Sequence, residues 1–169
     1  MMENTTISIT FNGEIDNDNV RWIQWYNDAK KIVKLLGYEP THVGISGTAF
    51  KSGKVLSVSK SEKKILKSLE NGDSVYYISL FALPKDYKSA SFDYDVLAVR
   101  DDGYITLVMN KNTFNSERED EIISILKKYI SAYSGEIYEM DRDEVPLFYA
   151  AKDNPPYMFK TLKILRAIN

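Results

Sequence analysis

The stretch "FDYDVLAVRDDGYITLVMN" (Phe92–Asn110) decides the fold class of this chain. Phe92–Arg100 alternates and then turns apolar, Tyr104–Asn110 is almost continuously apolar, and Asp102-Gly103 separates the two runs. An Asp-Gly pair supplies the positive backbone φ that a tight hairpin turn demands, so the runs read as antiparallel neighbours. The preceding "SVYYISLFAL" (Ser74–Leu83) reads as a third strand of the same sheet, and "TTISITF" (Thr5–Phe11) alternates as a half-buried strand does.

Outward from this centre the hydrophobic period changes. From Asn19, the residues Trp22, Trp25 or Tyr26, Ala29, Ile32 or Val33, and Leu36 share one helical face, with Asp18 or Asn19 as cap and Gly37 as terminator. "THVGIS" (Thr41–Ser46) and "KVLSVS" (Lys54–Ser59) read as strands. A short helix starts at Ser61, carries Ile65, Leu66 and Leu69, and closes at Gly72. Ser116 and Glu119 stand in capping-box spacing before a helix whose face is Ile122, Ile123, Leu126, Tyr129, Ile130 and Tyr133, ending near Gly135. "GEIYEM" (Gly135–Met140) and "PLFYAA" (Pro146–Ala151) read as strands or extended segments. Asn154-Pro155-Pro156 caps a last helix with Met158, Leu162, Leu165 and Ile168 on one side. Runs of strands with interspersed helices predict one α+β domain over residues 1–169. Its largely antiparallel sheet carries about four helices, packed mainly on one face.

A chain of 169 residues, 44% of them hydrophobic, buries about 70% of its unfolded surface and needs no staples for a core. It has no cysteine, which excludes disulfides, thiol catalysis and Cys-ligated metal centres and fits a reducing cytoplasm. A net charge of −2 argues against direct nucleic-acid binding by the chain as a whole. No apolar run reaches the ~18 residues of a membrane span, and "MMENTTISIT" lacks the basic-then-apolar order of a signal peptide. The expectation is a soluble cytoplasmic protein with no membrane contact.

"HVGISGTAFKSGKV" (His42–Val55) concentrates Gly44, Gly47 and Gly53 and nearly spells a phosphate loop. Gly47 and Gly53-Lys54 are one residue too far apart, Val55 occupies the hydroxyl position, and the alternating residues beyond it read as a strand rather than a helix. The glycines therefore read as turn and bulge positions, in a loop that can also contact a partner.

His42 is the single histidine, and no Gly-x-Ser-x-Gly elbow accompanies it. Asp93 and Asp95 flank Tyr94, and strand alternation would put both carboxylates on one face, a paired-acid edge fit for a divalent cation or a plain solvated edge. "EIYEMDRDE" (Glu136–Glu144) sets five acids and Tyr138 against one arginine, either a solvated turn or an acidic patch for a basic protein. Lys60, Lys63, Lys64 and Lys67 read as the solvated stripe of the second helix. None of these patterns assigns a catalytic, cofactor-binding or metal-ligating residue.

In size, charge and acidic-aromatic surface segments, loosely along the whole chain, the sequence resembles the immunity proteins of bacterial toxin systems, including contact-dependent growth inhibition. The resemblance implies a protein-binding module that neutralises a cognate toxin, often a nuclease, by covering its active site. Contact with such a basic toxin domain would then use Asp93, Asp95, Glu136, Tyr138, Glu139, Asp141, Asp143 and Glu144. The other classes left open are a small enzyme assembled around His42 or Asp93/Asp95, and a regulatory subunit of a larger assembly.

Overall fold

The computed structural model describes residues 3–169. The strands are β1 (Thr5–Glu14), β2 (His42–Gly47), β3 (Val55–Ser57), β4 (Val75–Ala82), β5 (Val96–Asp101), β6 (Tyr104–Asn110), β7 (Ser131–Asp141) and β8 (Lys163–Ile168). They form one eight-stranded sheet in the order β3-β2-β4-β5-β6-β1-β7-β8, antiparallel at every pairing. The fold is α+β, as the hairpin at Asp102-Gly103 predicts.

Alternation along the strands sends two sets of side chains to opposite faces. Ile7, Ile9, Phe11, Ile45, Leu80, Ala98, Leu107 and Ile137 meet the three long helices, α1 (Asn19–Leu35), α2 (Val58–Glu70) and α4 (Ser116–Lys127), in the main core. Trp22, Trp25, Tyr26, Ala29, Ile32 and Val33 of α1 are all buried there, and the Asp18 side chain accepts from the Val20 N–H to cap the helix. Arg100 enters the same core: its guanidinium stacks 4.4 Å from the Trp22 ring and donates to the carbonyls of Tyr129 and Asp16 at 2.9 and 3.0 Å. Burial lowers its pKa to about 10. Among the described residues, the opposite face is covered by the short helices α3 (Ala90–Asp93) and α5 (Pro146–Ala150) and their flanking loops.

Several boundaries differ from the sequence expectation, each because tertiary pairing overrides a local pattern. β3 stops at Ser57 and α2 begins at Val58, so the "KVLSVS" strand is half its expected length and a helix does follow the glycine-rich stretch. Even so, β3 turns back antiparallel on β2 before that helix starts. Gly44 and Gly47 have packing jobs: a Cβ on them would lie 2.5 Å from Ser79 Oγ and 2.3 Å from Ser74 O. The fourth helix is capped by Asn115, which accepts from Glu117 N–H, while Glu119 turns inward to Arg166 at 2.5 Å. That helix ends at Lys127 rather than near Gly135, because residues 131–135 are drawn into β7 along the second half of β1. "PLFYAA" is helical: Pro146 opens α5, where a missing N–H costs nothing. The last predicted helix is a single 3-10 turn at Pro156–Met158 followed by β8, which pairs with β7.

Candidate protein-binding surface

The acids of the two predicted patches converge around a residue that is not an acid. Arg142, the lone base within Glu136–Glu144, is buried. Its Nε donates to Glu3 O at 2.9 Å, its Nη1 to Phe92 O and Tyr94 O at 2.7 and 3.0 Å, and its Nη2 to Asn110 Oδ1. The guanidinium also lies over the Tyr94 ring, 5.1 Å from its centre. Because Phe92 O and Tyr94 O bracket Asp93, Arg142 ties the Asp93–Asp95 segment to the end of β7, and the structure brings the two patches side by side.

It does not leave most of their carboxylates free. Asp93 and Asp95 are not paired on a strand, since residues 90–93 form the single turn α3. The Asp93 carboxylate accepts from the Ser89 and Lys88 N–H groups at 2.9 and 2.7 Å. Those backbone donors, Ser89 foremost, hold it below the usual carboxylate range. Asp95 Oδ1 accepts from Asn110 Nδ2 at 3.0 Å. Glu136 accepts from Tyr149 OH at 2.8 Å and Lys152 Nζ at 2.6 Å. Glu139 pairs with Lys111 at 2.8 Å. Glu144 accepts from the Thr161 hydroxyl and from the N–H groups of Thr161 and Lys160 at 2.6 and 2.8 Å. Thr161 contributes most to lowering its pKa. Asp141 and Asp143 accept no hydrogen bond among the described residues, and Asp143 is exposed.

Tyr138 is fully buried, which removes it from any contact surface in this fold. It points to the outer face of β7, where Tyr149 of α5 covers it edge-on at 4.8 Å, and its hydroxyl bonds Thr10 Oγ1 at 2.9 Å. Among the aromatic and apolar side chains that do reach solvent at this end of the chain and on α5, Met158 and Leu165 were expected on the face of a last helix and Phe148 in an extended segment, while Tyr157 and Ile164 were assigned to no face. Tyr157 is 87% exposed, Met158 59%, Phe148 56%, Ile164 43% and Leu165 40%. The loop carrying Tyr157 and Met158 folds back over α5 and the end of β7, with Phe159 edge-on to Tyr149 at 5.8 Å and Thr161 Oγ1 donating to Glu144 while it accepts from Asp141 N–H at 3.0 Å. It leads into β8, the last strand of the sheet order, whose outer row of backbone N–H and C=O groups has no strand neighbour among the described residues. The Lys-Ile-Leu-Arg-Ala-Ile run carried no strand signal of its own: its polar residues recur every three positions, as on a helix, and do not alternate.

Elsewhere, His42 is half-buried at the start of β2. Its Nδ1 lies 2.9 Å from Thr41 Oγ1, and Tyr87 packs edge-on at 5.2 Å. Burial lowers its pKa. No group of three or more His, Asp or Glu side chains arranged to hold a metal ion occurs among the described residues. No helix among them is long and apolar enough to cross a membrane. In comparisons with known proteins, no family model, curated protein or solved structure matches the chain.

Proposed function

We propose that this chain is a protein-binding module, an immunity protein that neutralises a cognate bacterial toxin in the cytoplasm by covering its active site. The observation that supports binding is the open β8 edge, on which Ile164 and Leu165 are exposed, with Tyr157 and Met158 exposed in the turn that leads into it. Aromatic and Met side chains are enriched in the buried centres of interfaces. An unpaired strand edge adds main-chain hydrogen bonds to whatever extended segment docks there. The acids contribute less than their number implies, since most already have internal partners. Asp141 and Asp143 remain to steer a basic cleft towards this end of the sheet, an effect that lies mainly in the association rate.

The test is affinity capture of the tagged protein from its native host, followed by expression of the partner alone. The reading requires a stoichiometric partner that is toxic by itself and loses its activity when this chain is added. Ile164→Asp with Leu165→Asp is expected to weaken that complex about 100-fold or more, within the range of central interface residues. Asp141→Lys with Asp143→Lys is expected to slow association chiefly at low salt. A partner that is harmless alone, or a complex indifferent to the edge variant, overturns the reading.

A further inference from the structure

The net charge of −2 conceals a strong separation. Residues 21–67 hold ten Lys and Arg against three Asp and Glu, a balance of +7, so the rest of the chain carries −9. The excess is spread over α1 and α2, which lie side by side with Lys30 and Glu62 joined across them at 2.5 Å. Lys31 and Lys34 of α1 and Lys60, Lys63, Lys64 and Lys67 of α2 are exposed. None of these six has a carboxylate within 4.0 Å among the described residues. On the far side of α1, Lys30, Lys31, Lys34 and Arg118 line a groove of about 530 Å³ whose only other walls are Asn27 and Leu35. The neighbouring acids are Glu62, taken by Lys30, and, on the first turns of α4 beside Arg118, the exposed Glu117, Asp120 and Glu121, the last 3.6 Å from Arg118. A cationic band thus crosses α1 and α2 and ends at the acidic first turns of α4.

We infer that this band is a docking surface for the phosphate backbone of a nucleic acid, bound without regard to sequence. Lysine is a point charge suited to phosphate and carries no base-reading geometry. An acidic protein is the competing occupant, and the apolar content argues against it. Along α1 and α2 the one large hydrophobic side chain exposed among the described residues is Val20, in the first turn of α1, whereas a stable protein interface needs an apolar or aromatic centre. The lysines of α1 and α2 lie over β3, β4 and β5, towards the end of the sheet opposite β8, so both surfaces can be occupied at once. The inference stands or falls independently of the toxin-binding reading.

The experiment is fluorescence anisotropy with a labelled DNA duplex of about 20 base pairs and mixed sequence. With four to six phosphates neutralised, affinity is expected to fall about 100- to 2,000-fold between ~50 and ~200 mM salt. K31E/K34E/K63E/K67E is expected to abolish saturable binding at the lower salt. The control K85E/K88E/K160E/K163E makes the same change in net charge on other surfaces and is expected to bind within about threefold of the parent. Thermal melts establish that both variants fold. Three results overturn the inference: no saturable binding at ~50 mM salt, an equal loss in the control, or tighter binding of an acidic polypeptide such as polyglutamate than of the duplex.

Discussion

Replacing Arg142 with methionine keeps most of the side-chain volume and removes a guanidinium that donates to four acceptors, Glu3 O, Phe92 O, Tyr94 O and Asn110 Oδ1. Hydrogen bonds from a charged donor contribute about 1.5–3 kcal/mol each, so the gross loss is about 6–12 kcal/mol. Against this, methionine recovers the several kcal/mol spent on taking a cation out of water. The expected net destabilisation is about 3–5 kcal/mol, a large fraction of the 5–15 kcal/mol that typically holds a domain together. Urea denaturation at pH 7 measures it, with Trp22 and Trp25 as reporters because both are buried in the main core. The midpoint moves and the slope stays constant if the native state is otherwise unchanged. Arg142→Lys is expected to fall between the two, since an ammonium group cannot span all four acceptors. Hydrogen exchange supplies a local reading: the Lys88 and Ser89 amides, held by Asp93, are expected to exchange faster in the methionine variant than in the parent. A folded Arg142→Met protein destabilised by less than about 1 kcal/mol refutes the view that this residue is the joint between the two acidic segments.

Three further outcomes follow from the same structure. Gly47→Ala places a Cβ 2.3 Å from the Ser74 carbonyl, which belongs to the backbone and cannot move cheaply; a cost of about 1–3 kcal/mol is expected in the same urea assay. Asp93, Glu62 and Glu144 titrate below their ordinary values, through the Ser89 N–H, Lys30 and Thr161 respectively. Their contribution is complete above the unfolded carboxylate pKa of about 4 and is lost as pH falls through the folded values, so the melting temperature is expected to drop from pH 5 towards pH 2 or 3 and to change little between pH 5 and 7. Asp101 has the opposite sign: burial raises its pKa, so its folded state favours the protonated form and the ionised form costs stability at neutral pH. Asp101→Asn is expected to raise the melting temperature at pH 7, with the gain vanishing near pH 3; an equal gain at both values contradicts the assignment.

Local pattern was sufficient where an element's neighbours are close in the chain. The β5–β6 hairpin follows from Asp102-Gly103, and α1 follows from its buried face with Asp18 at one end and Gly37 at the other. It was insufficient where a segment's partner is distant. Residues 131–135 fit the helical period of α4 but pair with Phe11–Glu14, more than a hundred positions earlier. The segment Lys163–Ile168 has the spacing of a helix face, and pairing with β7 makes it a strand. The acidic residues illustrate the same limit at the level of side chains. Their number and spacing are properties of the sequence, whereas their availability depends on which donors the fold brings to them: Lys111 to Glu139, Thr161 to Glu144, and Ser89 to Asp93.

By itself, then, the sequence determined the antiparallel α+β class, the buried face of α1 and the absence of thiol chemistry, because hydrophobic period, turn residues and composition act over a few positions. The tertiary structure alone decided that Tyr138 is core, that Arg142 joins two acidic segments, and that the C-terminal residues end the sheet as an open, apolar edge. Burial and hydrogen-bond partnership are set by groups far apart in the chain, and no local window contains both partners.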